Sequence, residues 1–101
     1  MNIKAESLDG EIEITIDSDV ISMQEAMDFK RHLSFIVAKK HIKKLKLYIS
    51  SAYSLPSSIV GVLLKYKEIE HINIEVFVKK EELCSSLEKL NLAELLNVKI
   101  Y

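Results

Sequence analysis

The chain holds one cysteine, Cys84, so no disulfide can close within it, and a reduced, intracellular compartment is expected. Two glycines and one proline in 101 residues leave no room for a flexible linker, and neither repeats nor low-complexity tracts occur. No apolar run approaches the roughly 18 residues that a membrane span needs. The first residues, Met1-Asn2-Ile3-Lys4-Ala5-Glu6, contain no apolar signal core. These absences predict a cytoplasmic protein with no membrane span. Charge of one sign is lacking too: 14 basic against 15 acidic residues leave a net charge of -1, which supplies no general attraction to nucleic acid or anionic lipid. What is present suits one globular domain over residues 1–101, with 49% hydrophobic residues to fill a core and 29% charged residues to solvate the outside.

The hydrophobic pattern alternates between strand and helix periods. Asn2 to Ser7 is a candidate strand, and Asp9-Gly10 suits a two-residue hairpin turn. In Glu11-Ile12-Glu13-Ile14-Thr15-Ile16-Asp17 the isoleucines face one side and the charges the other, the pattern of a half-buried strand. Ser22-Met23-Gln24-Glu25 reads as a capping box opening a helix that runs to about Lys40. That helix carries Ala26, Phe29, Leu33, Ile36 and Val37 on one stripe. Leu45, Leu47 and Ile49 alternate as a third strand. Pro56-Ser57-Ser58 then opens a second helix, to about Ile69, with Ile59, Val62, Leu63 and Tyr66 on one face. Ile72 to Val78 is a fourth strand. Glu81 to Leu90 is a third helix with Leu83, Leu87 and Leu90 aligned. Leu92 to Leu96 suits a further short turn, and Val98 to Tyr101 a last short strand. The expected fold is α/β, a single-domain mixed sheet of about four or five strands covered by three or four helices and parallel after the first hairpin.

The segment Leu45-Lys46-Leu47-Tyr48-Ile49 through Pro56-Ser57-Ser58-Ile59-Val60-Gly61-Val62-Leu63-Leu64 resembles the STAS domain of bacterial anti-sigma factor antagonists. In that family an apolar strand and a short loop lead to Asp-Ser-Ser-Gly or Asp-Ser-Thr-Gly and a helix reading Leu-Gly-x-Leu-Leu. Ser57-Ser58 and Gly61-Val62-Leu63-Leu64 match the register. Leu87-Glu88-Lys89-Leu90-Asn91-Leu92-Ala93-Glu94-Leu95-Leu96 is similar to the family's closing Leu-x-x-x-Gly-Leu segment. Pro56 stands in place of the family's aspartate, Ile59 in place of its glycine and Tyr48 in place of a common acidic residue. Asn91 replaces a late glycine, and asparagine tolerates the same left-handed backbone.

The resemblance implies a non-enzymatic regulator that works by partner switching in transcription control. It would bind an anti-sigma factor or switch kinase through the helix starting at Ser57, using Ser57, Ser58, Val60, Gly61 and Leu64. It also implies that the kinase phosphorylates Ser57, with Ser58 as the alternative. Independently, the open amides and positive dipole at a helix start favour phosphate, and phosphate adds about -1.5 to -2 charges that oppose an acidic partner. Beside this stands the plainer reading, in which both serines only cap the helix. The second functional class is an accessory subunit that docks on a transporter ATPase without phosphorylation. A weak homodimer is compatible with either.

The remaining signals favour structural roles. Surplus apolar residues on the second helix, Val60 and Leu64, form either a docking patch or a contact with a neighbouring helix. Gly61 suits close packing. The basic run from Lys39 to Lys46 reads as a solvated helix end leading into a strand edge. Nucleic-acid binding is not expected from it, since no aromatic residues interleave to stack bases. His32, His41 and His71 are scattered, and Cys84 has no partner at ligand spacing, so neither a metal site nor a cofactor is expected. Cys84 reads as a small buried hydrophobe, Glu81-Glu82 as acids in a first helical turn, and no catalytic constellation is present.

Overall fold

The computed structural model describes residues 2–6, 10–39 and 41–101, with residues 2–6 described by their backbone alone. β1 (Asn2–Glu6) pairs antiparallel with β2 (Glu11–Ile16), Glu6 lying opposite Glu11. The expected Asp9-Gly10 turn involves Asp9, which lies outside the described residues. Gly10 has φ +74°, and a Cβ there would come within 2.8 Å of the His41 carbonyl oxygen, so the position needs glycine on both counts.

From β2 the chain alternates helix and strand: α1 (Met23–Lys39), β3 (Lys44–Ile49), α2 (Ser57–Glu68), β4 (Asn73–Val78), α3 (Glu81–Lys89) and β5 (Val98–Ile100). The sheet is ordered β1-β2-β3-β4-β5, and every pairing after the first is parallel. The expected α/β mixed sheet is therefore present, with five strands and three helices among the described residues.

The strand order decides what the helices can cover. Crossovers between parallel strands are right-handed almost without exception. Successive crossovers that step the same way along the sheet must lay their helices on the same face. Burial agrees. Ile12, Ile14 and Ile16 of β2, Leu45, Leu47 and Ile49 of β3, and Ile74, Val76 and Val78 of β4 are all buried beneath the helices. Their alternate neighbours Glu11, Glu13, Thr15, Lys46, Tyr48, Glu75 and Phe77 are only half-buried. The expectation that helices cover the sheet thus holds for one face and fails for the other.

Local rules account for the helices. The Ser22 hydroxyl accepts from the Glu25 amide at 3.1 Å, half of the expected capping box, and the Glu25 carboxylate accepts the Ser18 hydroxyl at 2.7 Å. Ala26, Phe29 and Leu33 are buried, and Ile36 and Val37 pack at the core margin. In α2 all four expected core residues, Ile59, Val62, Leu63 and Tyr66, are buried.

In α3 the expectation is corrected at Leu90, which is 63% exposed while Leu83 and Leu87 are buried. The helix has already ended there. Asn91 takes φ +60°, the left-handed conformation its replacement of glycine suggested. The Asn91 amide donates to the Glu88 carbonyl at 3.0 Å and the Leu92 amide to the Leu87 carbonyl at 2.9 Å, a Schellman stop. The reversal turns Leu90 outward. It brings the expected Leu92–Leu96 turn back onto the core, where Leu96 is fully buried.

Candidate partner-docking site

The loop after β3 delivers Pro56 to the start of α2 on the side of the sheet where the parallel strands end. Ala52 anchors the loop in the core. Pro56 has φ -59° and ψ 143° and occupies the cap position. Its carbonyl accepts the Ile59 amide at 3.0 Å and the Val60 amide at 3.3 Å.

This geometry corrects the plainer reading of the serines. Ser57 and Ser58 are already the first two helical residues, and no side chain caps α2. Their hydroxyls are exposed and have no hydrogen-bond partner among the described residues. The capping role expected of serine belongs to Ser22 on α1 instead.

Around the α2 axis, Ser57, Val60, Gly61 and Leu64 fall on one arc, opposite the buried Ile59, Val62, Leu63 and Tyr66. The structure therefore brings four of the five sequence-selected docking residues to one side, with Ser58 at its flank. Val60 and Leu64 are half-buried, and Leu64 packs against the core margin. Gly61 does not serve close packing, which corrects that expectation. It is exposed, and a Cβ there would meet nothing within 4 Å. Ile59 points into the core, so the residue there does not shape the outer surface.

Sequence reasoning missed what lies beside the serines. Ile21, Met23, Ala26, Met27 and Lys30 of the α1 side line a groove of about 650 Å³ together with Pro56, Ser57 and Ser58. Met23 is 81% exposed, and Met27 and Phe35 are also exposed. The available signal was two methionines four residues apart on the polar side of α1, off the core stripe.

A second feature was also missed, on the open face of the sheet. Tyr48 and Phe77 stand opposite each other in the β3–β4 register and stack at 4.8 Å with planes 13° apart. Tyr101 meets them edge-on at 5.4 and 6.2 Å. Burial in this cluster, then the nearby Asp17 charge, raises the Tyr101 phenol above its ordinary range. Lys79 and Lys99 lie over the Tyr101 and Phe77 rings. Below this row, Lys44 reaches Glu75 at 3.0 Å, Lys99 reaches Glu75 at 3.0 Å and Lys46 reaches Glu11 at 3.6 Å. The hydrogen bonds from Lys99 and Lys44 hold the Glu75 carboxyl below its usual range. The basic run therefore leads into the central strand rather than a strand edge, and Lys44 and Lys46 are ion-paired.

Cys84 is half-buried on α3. Its desolvation, then its hydrogen bond to Glu88, raises the thiol pKa and disfavours the thiolate. Among the described residues no group of three or more His, Cys, Asp or Glu side chains could hold a metal ion, and no helix is long and apolar enough to cross a membrane.

No family model matches the chain, and searches of curated proteins and of solved structures find no match either. What this surface does must be read from its own chemistry.

Proposed function

We propose that this chain is a STAS-type regulatory binding module of the cytoplasm, and that partners grip it at the start of α2. One observation carries the reading. Ser57 presents an exposed hydroxyl, free of capping duty, at the first position of a helix that begins beside an apolar groove. Phosphate on that hydroxyl would meet the dipole and unpaired amides of the helix start. Its added charge would have to be desolvated in any docked complex, so phosphorylation acts as release. The partner on this reading is an anti-sigma factor or switch kinase, and the protein itself catalyses nothing.

The test is incubation with ATP and each histidine-kinase-like ATPase of the same cell, followed by mapping of phosphate. Modification of Ser57, or of Ser58, is the expected outcome, and phosphate found only elsewhere overturns the switch. Pro56 favours a second reading, a docking subunit of a transporter ATPase that is never phosphorylated. A proline at the cap removes the acidic side chain the resembled family carries there. Affinity purification separates the two, by recovery of a histidine-kinase-like ATPase or of a transporter ATPase.

A further inference from the structure

We propose that the groove beside Ser57 and the exposed face of α1 that adjoins it, resting on the docking role assigned to the Ser57 surface, receive an acidic amphipathic helix from the partner. The groove lies between α1 and the start of α2 and includes Met23, Met27, Lys30 and Ser57. Met27 and Lys30 belong also to the adjoining helix face, with Arg31, Ser34 and Phe35. From Met23 to Phe35 this surface follows about 18 Å of helix, enough for roughly three turns of a second helix laid alongside.

The lining selects the occupant. Its apolar groups are Met23, Met27 and Phe35, all exposed and spaced at helical intervals. Methionine adapts its shape to incoming apolar side chains. The charged groups of the lining are Lys30 and Arg31, and no carboxylate lines either part of it. Asp28, on the same helix, is 3.6 Å from the Arg31 guanidinium, and Arg31 remains largely exposed. Lys30 has no ion-pair partner among the described residues. Lys39 adds a further cation above the Phe35 ring at 4.2 Å. A segment carrying apolar residues on one face and carboxylates along its flanks satisfies both the apolar groups and the cations. Phosphate on Ser57, at one end of this surface, would repel that segment.

The experiment uses the full chain with methyl-labelled methionine, whose spectrum contains signals from Met23 and Met27. The probe is a helical peptide of about 14 residues with leucines at helical spacing and glutamates on both flanks, compared with the same peptide carrying lysines instead. The glutamate peptide should shift the Met23 and Met27 methyls saturably and bind at least about tenfold more tightly than the lysine peptide. Replacing both cations, Lys30→Glu with Arg31→Glu, should reverse that preference while leaving the far-UV circular dichroism and the urea midpoint unchanged. Equal affinity for the two peptides, or no saturable shift of the Met23 and Met27 methyls, overturns the proposal. So does perturbation of these methyls by anionic phosphatidylserine vesicles but not by the glutamate peptide. No kinase or ATP is present, so failure of Ser57 phosphorylation leaves this result standing, and failure of peptide binding leaves phosphorylation standing.

Discussion

The two faces of the sheet are built from the same strands and obey opposite rules. On the covered face, Ile12, Ile14, Ile16, Leu45, Leu47, Ile49, Ile74, Val76 and Val78 are sealed beneath α1, α2 and α3. On the open face, the residues between them form ion pairs and one stack of aromatic rings, all partly in contact with water. A largely parallel sheet usually has helices on both faces. Here the sequential strand order leaves one face bare, and side chains rather than helices must shield it. The difference teaches that burial on this sheet is set by topology, while composition only fits itself to the side it is given.

The sharpest break of that contrast comes from neighbouring residues of β3. Leu47→Ala on the covered face should cost about 3 kcal/mol, because it removes packed atoms and leaves a cavity beneath the helices. Urea unfolding measures it; a loss under about 1 kcal/mol would mean that the covered face is loosely packed. Tyr48→Ala, one residue along and pointing the other way, should cost about 1 kcal/mol through the lost ring contacts. Equal losses at the two positions would erase the distinction between the faces.

The same contrast runs around α2 on a smaller scale. Gly61→Ala on its outer side should raise stability by about 0.5–1 kcal/mol, since helix propensity improves and the added methyl has open space. Weaker partner recovery alongside that gain would show that the bare backbone at Gly61 serves close approach of the partner.

The smallest effect is electrostatic. Because Lys99 and Lys44 hold the folded Glu75 carboxyl below its usual range, the charged form favours the fold. That contribution is present above the unfolded value of about 4.3 and fades as pH falls through the lower folded value. Glu75→Gln should therefore flatten the stability profile below about pH 5 and change it little near neutrality, beyond the small loss expected of surface pairs. An unchanged acid slope would show that the open-face ion pairs contribute nothing to stability.

Much of this was legible in local pattern. The alternation of isoleucine with charge in β2 showed one buried and one wet side. The Ser22 cap and the stripe from Ala26 to Val37 showed α1, and the buried set of α2 stood out at helical spacing. Asn91 marked the stop of α3 through its tolerance of left-handed backbone. The misses share one cause. Tyr48, Phe77 and Tyr101 become neighbours only when β3, β4 and the chain end adopt their register. Leu90 fits the α3 stripe by count, yet the helix stops before the stripe can include it. The groove beside Ser57 needs α1 laid against the start of α2, which neither helix specifies alone.

The amino-acid order by itself determined where each strand and helix would form and which side of each would seek the core, because caps, turns and hydrophobic period act over a few residues. Tertiary structure alone decided that the helices share one face, that three aromatic rings meet on the other, and that exposed methionines flank an uncapped pair of serines. Those outcomes depend on strand order and handedness, which bring together segments far apart along the chain.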